Sequence, residues 1–318
     1  MDRFDVPVVL FIFKREKAVE IVKKISEVRP AKLYILADQG RNDEEKEQAQ
    51  RCREAVEKAV DWECEIVKNY ADENRGVFGN IALGAKWVFK REKWAIFLED
   101  DNLPETTFFE YCKELLERYE KDTRILWICG TNYLGKYTPE DGSSYVFTRH
   151  MLPCGWASWA DKFCEFYDEE MNLVEDEVVV NKARKNYFNS YIYRQYRRCW
   201  KGERRRIANG QRAVSWDYHI DFALKANGLF GIAPCYNQIT NIGADENAIH
   251  GGNSMNLVMT KRFCGVSSYP LVFPLKHPKT VLPDYGFEKK ITKIVSYPFC
   301  VRVRNLKVKI IRYLKRQE

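Results

Sequence analysis

Three adjacent carboxylates, Glu99, Asp100 and Asp101, stand directly after the apolar run Trp94–Leu98. Side by side they repel one another unless a cation or hydrogen-bond donors are near. A cluster of this kind at a strand end suits Mg or Mn, hard ions that take carboxylate oxygen and keep positions open for phosphate oxygens. The alternative is a solvated acidic turn at the positive end of the following helix. Asp217 and Asp221 are spaced i, i+4 and share a face if that stretch is helical. Trp156 could offer its indole to the apolar face of a pyranose ring, although a core position is the commoner fate of Trp. Only four His occur in the chain, and one of them, His250, is either a ligand for Mn or a diphosphate, or a structural residue.

These residues need elements to hold them. Val6–Phe13 is a short β-branched and aromatic run that reads as a buried parallel strand. Lys14–Val28 has helical spacing of apolar residues and closes on Arg29-Pro30. A strand at Lys32–Ala37, a helix at Asp43–Val60, a strand at Trp62–Lys68, a helix at Gly79–Lys90 and the strand Trp94–Leu98 follow. Then come a helix at Thr106–Tyr119 and a strand at Ile125–Cys129. Such alternation is the mark of a doubly wound α/β sheet, whose chemistry lies in loops at the carboxyl ends of the strands. Beyond Gly130 the pieces become shorter and richer in aromatics. The expected organisation is one α/β domain over 1–265, with a nucleotide-binding half at 1–130 and an acceptor half at 131–265. A strap at Tyr269–Pro283 and a basic tail complete 266–318.

At 318 residues and 45% hydrophobic content the chain can bury a large core, so disorder is excluded. Lys and Arg number 52 against 45 Asp and Glu. Ten of the 52 lie between Lys289 and Arg316, where no acidic residue occurs; without them 42 basic residues face 45 acidic ones, a balance of −3. A body of that balance argues against general nucleic-acid binding, which needs a basic face on the domain itself. The ten cysteines are scattered, and none forms a two-residue-gap pair of the zinc or redox type. Reduced thiols in a cytoplasmic enzyme are the expectation.

The segment from Ile96 to Tyr111, IFLEDDNLPETTFFEY, resembles the metal-site segment of GT-A nucleotide-sugar glycosyltransferases. It is similar to segments in bacterial polysaccharide-locus glycosyltransferases, and to the E-D-D form found in Golgi N-acetylglucosaminyltransferase. The resemblance implies a GT-A, Rossmann-like fold with a mixed, mostly parallel sheet flanked by helices. It implies that Asp101 holds Mn or Mg under the donor diphosphate and that Asp100 lies near the donor ribose or sugar. Other stretches agree in the same order. Val8–Arg15 is similar to the first strand and turn, which makes Phe13 and Arg15 donor contacts. Leu36–Arg41 resembles the turn whose acidic residue reads uracil, here Asp38, and Asn74-Arg75-Gly76 resembles a further nucleotide contact, with Arg75 toward phosphate. Ordinary turn chemistry is the alternative for both. Pro153–Trp159 is similar to the Gly-Trp segment of the sugar pocket, which implicates Gly155 and Trp156. Ser215–Tyr218 looks like the W-D segment, placing Trp216 in the pocket and making Asp217 the catalytic base, with Asp221 as the alternative. Asn241–His250 is similar to the N-I-G ending of bacterial members and adds His250 as a metal ligand.

The implied function is a metal-dependent, inverting glycosyltransferase that moves a hexosyl or N-acetylhexosaminyl group from a UDP-sugar to a glycan or lipid-linked acceptor. One rival is a sugar-phosphate nucleotidyltransferase, which should carry a Gly-rich loop after the first strand; here that turn is Lys14-Arg15-Glu16. Another is a non-catalytic nucleic-acid-binding module, suggested by the cations and aromatics interleaved over Arg194–Arg206. That stretch also reads as a lid or a solvated helix. Lys289–Arg316 mixes cations with apolar residues as a segment on an anionic membrane surface does; a solvated basic extension and a docking site for a partner are the alternatives. The expected location is therefore cytoplasmic, peripheral on a membrane.

Overall fold

The computed structural model describes residues 3–244 and 258–298. The strands are β1 (Val8–Ile12), β2 (Lys32–Ala37), β3 (Glu65–Tyr70), β4 (Trp94–Glu99), β5 (Asn102–Pro104), β6 (Ile125–Cys129), β7 (Tyr145–Thr148), β8 (Trp156–Trp159), β9 (Phe230–Pro234) and β10 (Ile239–Asn241). Between them run α1 (Ala18–Ser26), α2 (Asp43–Ala59), a π-helix (Phe78–Leu83), α3 (Gly84–Phe89), α4 (Thr107–Arg118), α5 (Ala160–Phe166), α6 (Glu177–Ala183), α7 (Ser190–Ala208) and α8 (Asp217–Asn227). After β10 come α9 (Val258–Phe263) and α10 (Tyr285–Val295).

Eight strands form one sheet in the order β3-β2-β1-β4-β8-β6-β9-β7, and β5 with β10 makes a separate two-stranded ribbon. The first four neighbours in that order are parallel. Strand β8 is antiparallel to both β4 and β6, and β7 is antiparallel to β9. This is the mixed, mostly parallel, helix-flanked sheet that the GT-A resemblance implies.

All five residues of β1 are buried, so both faces of the strand are covered. Val9 and Phe11 join one core with residues of α3, α5, α7, α8 and α10. Val8, Leu10 and Ile12 join the other with α1, α2 and α4, as the period-2 alternation of side chains requires. Local signals set the helix ends. Asn42 caps α2 by accepting from Glu45 N at 2.9 Å, and Asp43, Glu44 and Glu45 lie at its positive end. Gly228, at φ +68°, closes α8 in the left-handed conformation that a side chain disfavours.

Four expectations need correction. The strand expected at Trp62–Lys68 begins only at Glu65, because Trp62 turns aside and its indole N–H donates to Pro30 O at 3.0 Å. The helix expected over Gly79–Lys90 is a π-helix followed by α3. The stretch Arg194–Arg206 is the body of α7, fixed to the protein by buried Ile192, Tyr193, Gln195, Trp200 and Glu203. The boundary at residue 265 separates no cores: Phe287 and Ile291 of α10 are fully buried in the core that holds Val9, and Leu271 and Leu275 pack into the other. Glu288 is buried too and accepts from Thr148 Oγ1 at 2.6 Å and Arg149 N at 2.7 Å. The first part of the supposed surface tail is thus structural, while residues 299–318 lie outside the described residues. Among the described residues no helix is long and apolar enough to cross a membrane, and the described cysteines are all free thiols.

Candidate active site

Strand β4 delivers Glu99, Asp100 and Asp101 beside the carboxyl end of β1, where Phe11 is opposite Glu99. Asp100 and Asp101 are then fixed by hydrogen bonds, with Arg15 shared between them. Asp100 Oδ2 accepts from Phe13 N at 3.3 Å, and Oδ1 lies 3.4 Å from Arg15 Nη1. The same Arg15 nitrogen donates to Asp101 Oδ2 at 3.0 Å. Asp101 Oδ1 accepts from Asn102 Nδ2 at 2.6 Å and from Asn241 Nδ2 at 3.3 Å. One guanidinium cation therefore sits between two carboxylates that would otherwise repel.

The ribbon of β5 and β10 places Asn102 opposite Asn241 and so ties the acidic turn to a segment 140 residues later in the chain. Ile242 N donates to Asp101 O at 2.9 Å, and Arg15 Nη2 donates to Gly243 O at 3.4 Å. At Gly243 a Cβ would fall 2.2 Å from Asp101 Oδ2, so no residue with a side chain fits without moving the carboxylate. Gly155 meets the same loop from β8: its N–H donates to Asn102 Oδ1 at 2.8 Å. It adopts φ +59°, and a Cβ there would strike the Ile239 side chain at 2.5 Å.

Burial, and then the charge of Asp101, lifts the Asp100 carboxyl to about 7. Glu99 is pushed well above the usual carboxylate range by burial, followed by the charges of Asp101, Asp100 and Asp217. Asp217, the first residue of α8, is thus within electrostatic reach of the triplet. Burial raises its own carboxyl, against the pull of the hydrogen bond donated by Ser215 Oγ. Half-buried Tyr133, Tyr196 and Tyr218 lie within reach of its charge: burial raises each phenol, and Asp217 adds to that.

Phe13, Arg15, Asp100, Asp101 and Gly155 therefore meet at one turn, Asp217 is linked to it through its charge on Glu99, and the other expected residues stand elsewhere. Asp38 stands at the end of β2 with four hydrogen bonds already made. Oδ1 accepts from Gln39 N at 2.8 Å and Arg75 N at 2.7 Å, and Oδ2 accepts from Asn74 Nδ2 at 3.1 Å and Gly76 N at 3.0 Å. A carboxylate has about four acceptor sites, so Asp38 fastens the 74–76 loop and has none left to read uracil. Arg75 directs its guanidinium to Asn69 Oδ1 at 2.9 Å and lines a cavity outside the acidic cluster.

Trp156 is 1% exposed. Its ring stacks on Phe97 at 3.9 Å and on Trp127 at 4.3 Å, which leaves no face for a sugar. Trp216 is buried against the same two indoles. Asp221 is committed to the core, accepting from Tyr187 Oη and from Trp200 Nε1 at 3.3 Å and pairing with Lys225 at 3.6 Å. His250 lies outside the described residues. Sequence reasoning gave no role to Asn102, Asn241 and Gly243, which hold Asp101, or to Tyr133, Tyr196 and Tyr218. Two sequence signals could have found the first group: an Asn directly after the triplet, and a Gly in the N-I-G segment.

No family model matches the chain, and no curated protein matches it. Solved structures do. UDP-glucose pyrophosphorylase complexed with UDP-glucose matches at 11% identity and TM-score 0.38, over 78% of this chain and 97% of that one. Apo UDP-glucose pyrophosphorylase matches at 10% identity and TM-score 0.38, over 81% and 99% of the two chains. An active-site mutant of LgtC matches at 10% identity and TM-score 0.35, over 93% and 99%. At this identity and superposition the likeness assigns neither substrate nor residue roles.

Proposed function

We propose that the chain is a metal-dependent, inverting glycosyltransferase that transfers a sugar from a UDP-sugar to a glycan or lipid-linked acceptor. The observation that carries this reading is the Arg15 guanidinium held between Asp100 and Asp101, with Asp217 in electrostatic reach of the same turn. The guanidinium is a stand-in cation, and the oxygens around it are the hard donors that Mn and Mg prefer. Asp101, with Asp100 beside it, would hold the ion. Among the described residues no group of three His, Cys, Asp or Glu side chains is placed to hold a metal ion, so an ion at Asp101 would have to draw its remaining ligands from substrate phosphates and water. Bound there, the metal would offset charge developing on the UDP leaving group.

The chain's own residues supply the rest. Phe13 N and Arg15 hold Asp100, while Asn102, Asn241 and Gly243 hold Asp101 in place. Arg15, once released from the carboxylates, is positioned for a diphosphate oxygen, which suits the guanidinium fork. Asp217, fixed by Ser215 at the start of α8, accepts the proton of the acceptor hydroxyl as that oxygen attacks the anomeric carbon in line. A carboxyl raised by burial is the stronger base for this step. A single displacement inverts the anomeric centre.

The basic tail and the exposed cations Arg194, Arg198 and Arg205 of α7 would keep the enzyme on an anionic cytoplasmic membrane surface, near acceptors for polysaccharide synthesis. Tyr297 N donates to Gln195 Oε1 at 3.0 Å, which fastens the last described residues to α7. The test is a panel of nucleotide sugars with and without Mn, read by thermal stabilisation and by release of UDP. A donor at 100 times its Kd adds about 2.7 kcal/mol to stability. If no UDP-sugar stabilises the protein or is turned over with Mn, the reading fails.

A further inference from the structure

A cavity of about 650 Å³ opens at the carboxyl end of β3, walled by the π-helix, α3 and the segment joining α7 to α8. None of Glu99, Asp100, Asp101 and Asp217 lines it. Its volume is that of a small-ligand site.

Its two lining carboxylates already have cations beside them. Glu169 is taken by Lys86 Nζ at 2.6 Å, and Glu170 lies 3.8 Å from Arg204. Arg75 and Arg212 have no carboxylate within ion-pair distance among the described residues. Arg75 donates to the neutral Asn69 side chain at 2.9 Å, and Arg212 to Asn74 O at 2.8 Å. A guanidinium carries five N–H donors, so most of these two remain available for an anion. Arg75 belongs to the loop that Asp38 fastens, and Arg212, from the segment leading to Asp217, reaches that same loop through Asn74 O.

The rest of the wall is apolar: half-buried Phe78 and Trp87, Ile207, and Leu83, which is 40% exposed. An exposed leucine and an indole beside two uncompensated guanidinium groups describe a ligand with two parts, an anionic head and a hydrophobic or flat body. The π-helix itself is an uncommon element that recurs at functional sites.

We propose that this cavity is a second binding site, separate from the carboxylate cluster, that takes a phosphate monoester carried on an apolar or aromatic body. Arg75 and Arg212 hold the phosphate, for which paired guanidinium forks are suited, and Phe78, Leu83, Trp87 and Ile207 receive the body.

The experiment titrates the full-length protein with n-octyl phosphate, uridine monophosphate and inorganic phosphate, in EDTA, by calorimetry. At least one ester is expected to bind about tenfold or more tightly than inorganic phosphate, a difference of about 1.4 kcal/mol. A preference for octyl phosphate identifies a lipid-like body, and a preference for uridine monophosphate a nucleoside. Arg212→Gln, at an exposed position, should weaken that ester by about tenfold with the fold unchanged by circular dichroism, and Arg75→Lys should do so independently. Arg15→Gln should leave the binding as it was. The proposal is overturned if no ester binds better than inorganic phosphate, or if both the Arg75 and Arg212 variants bind as the wild type. It is also overturned if Arg15→Gln abolishes binding, since the ester would then occupy the carboxylate site. Because metal is absent throughout, neither result depends on whether the chain transfers sugar.

Discussion

Asp100→Asn removes a charge that the folded chain holds at high cost. Burial and the neighbouring Asp101 lift this carboxyl from an ordinary 3.8 to about 7. At about 1.4 kcal/mol for each pKa unit, ionised Asp100 costs the folded state about 4 kcal/mol relative to the unfolded chain. Asparagine avoids that cost, which already includes the 3.4 Å contact with Arg15 that it gives up, and can still accept from Phe13 N. A net gain of up to about 4 kcal/mol is therefore expected at pH 8 without divalent cations, or about 8 °C in Tm. The direction with pH follows from linkage. Since the folded chain binds this proton more tightly than the unfolded chain, the group's contribution is fully present below 3.8 and lost as pH rises through about 7. The wild type should thus recover against the variant on acidification, and the gap should close toward pH 5. Urea titrations in EDTA at pH 5 and pH 8 measure both quantities. A variant no more stable than wild type at pH 8, or a gap equal at both pH values, would refute the electrostatic account of the triplet.

Asp217→Asn should cut transfer by about 100-fold or more while calorimetry shows UDP affinity unchanged. In the wild type the rate should climb with pH through a pKa above the ordinary carboxylate range, because burial raises that carboxyl, and this limb should vanish in the variant. Gly243→Ala puts a Cβ 2.2 Å from Asp101 Oδ2. Mn-dependent UDP affinity should fall by about tenfold, the scale for groups that orient a metal ligand, with little change in Tm; unchanged affinity would mean that the carboxylate need not stay where Gly243 lets it lie. Asp221→Ala strands buried Lys225 without its partner at 3.6 Å. It should destabilise the protein by about 3–5 kcal/mol in urea, while the folded fraction keeps wild-type turnover; a variant that is stable but inactive would give Asp221 the role of base.

The nucleotide half was legible where local chemistry decides structure. Lys32–Ala37 and Ile125–Cys129 are strands over the same residues that their apolar runs mark, and the triplet stands at a strand end as its position after Trp94–Leu98 implies. Long-range contacts were not legible. That Asp38 ends a strand can be read; that its four acceptor sites are filled from residue 39 and from a loop some 36 residues away cannot. A tryptophan beside glycine reads equally as a sugar platform or a core residue. The choice rests on Phe97 and Trp127, which come from different strands. The packed face of α10 was available in the sequence, since Phe287, Ile291 and Val295 repeat every four residues, but the run of cations from Lys289 onward drew the reading toward a surface tail.

Strand β8 also dictates the order in which the molecule can be completed. It alone joins β4 to β6, so the sheet made from the first 130 residues has a gap where a strand synthesised later must enter. Until Trp156–Trp159 leaves the ribosome, β4 and β6 each present an unpaired edge, the feature that templates association between chains. Entry of β8 closes the edge of β4 and one edge of β6, whose other edge waits for β9, and in the same movement sets the Trp156 ring between Phe97 and Trp127. A chain cut between residues 130 and 131 would yield two pieces, neither holding a finished sheet.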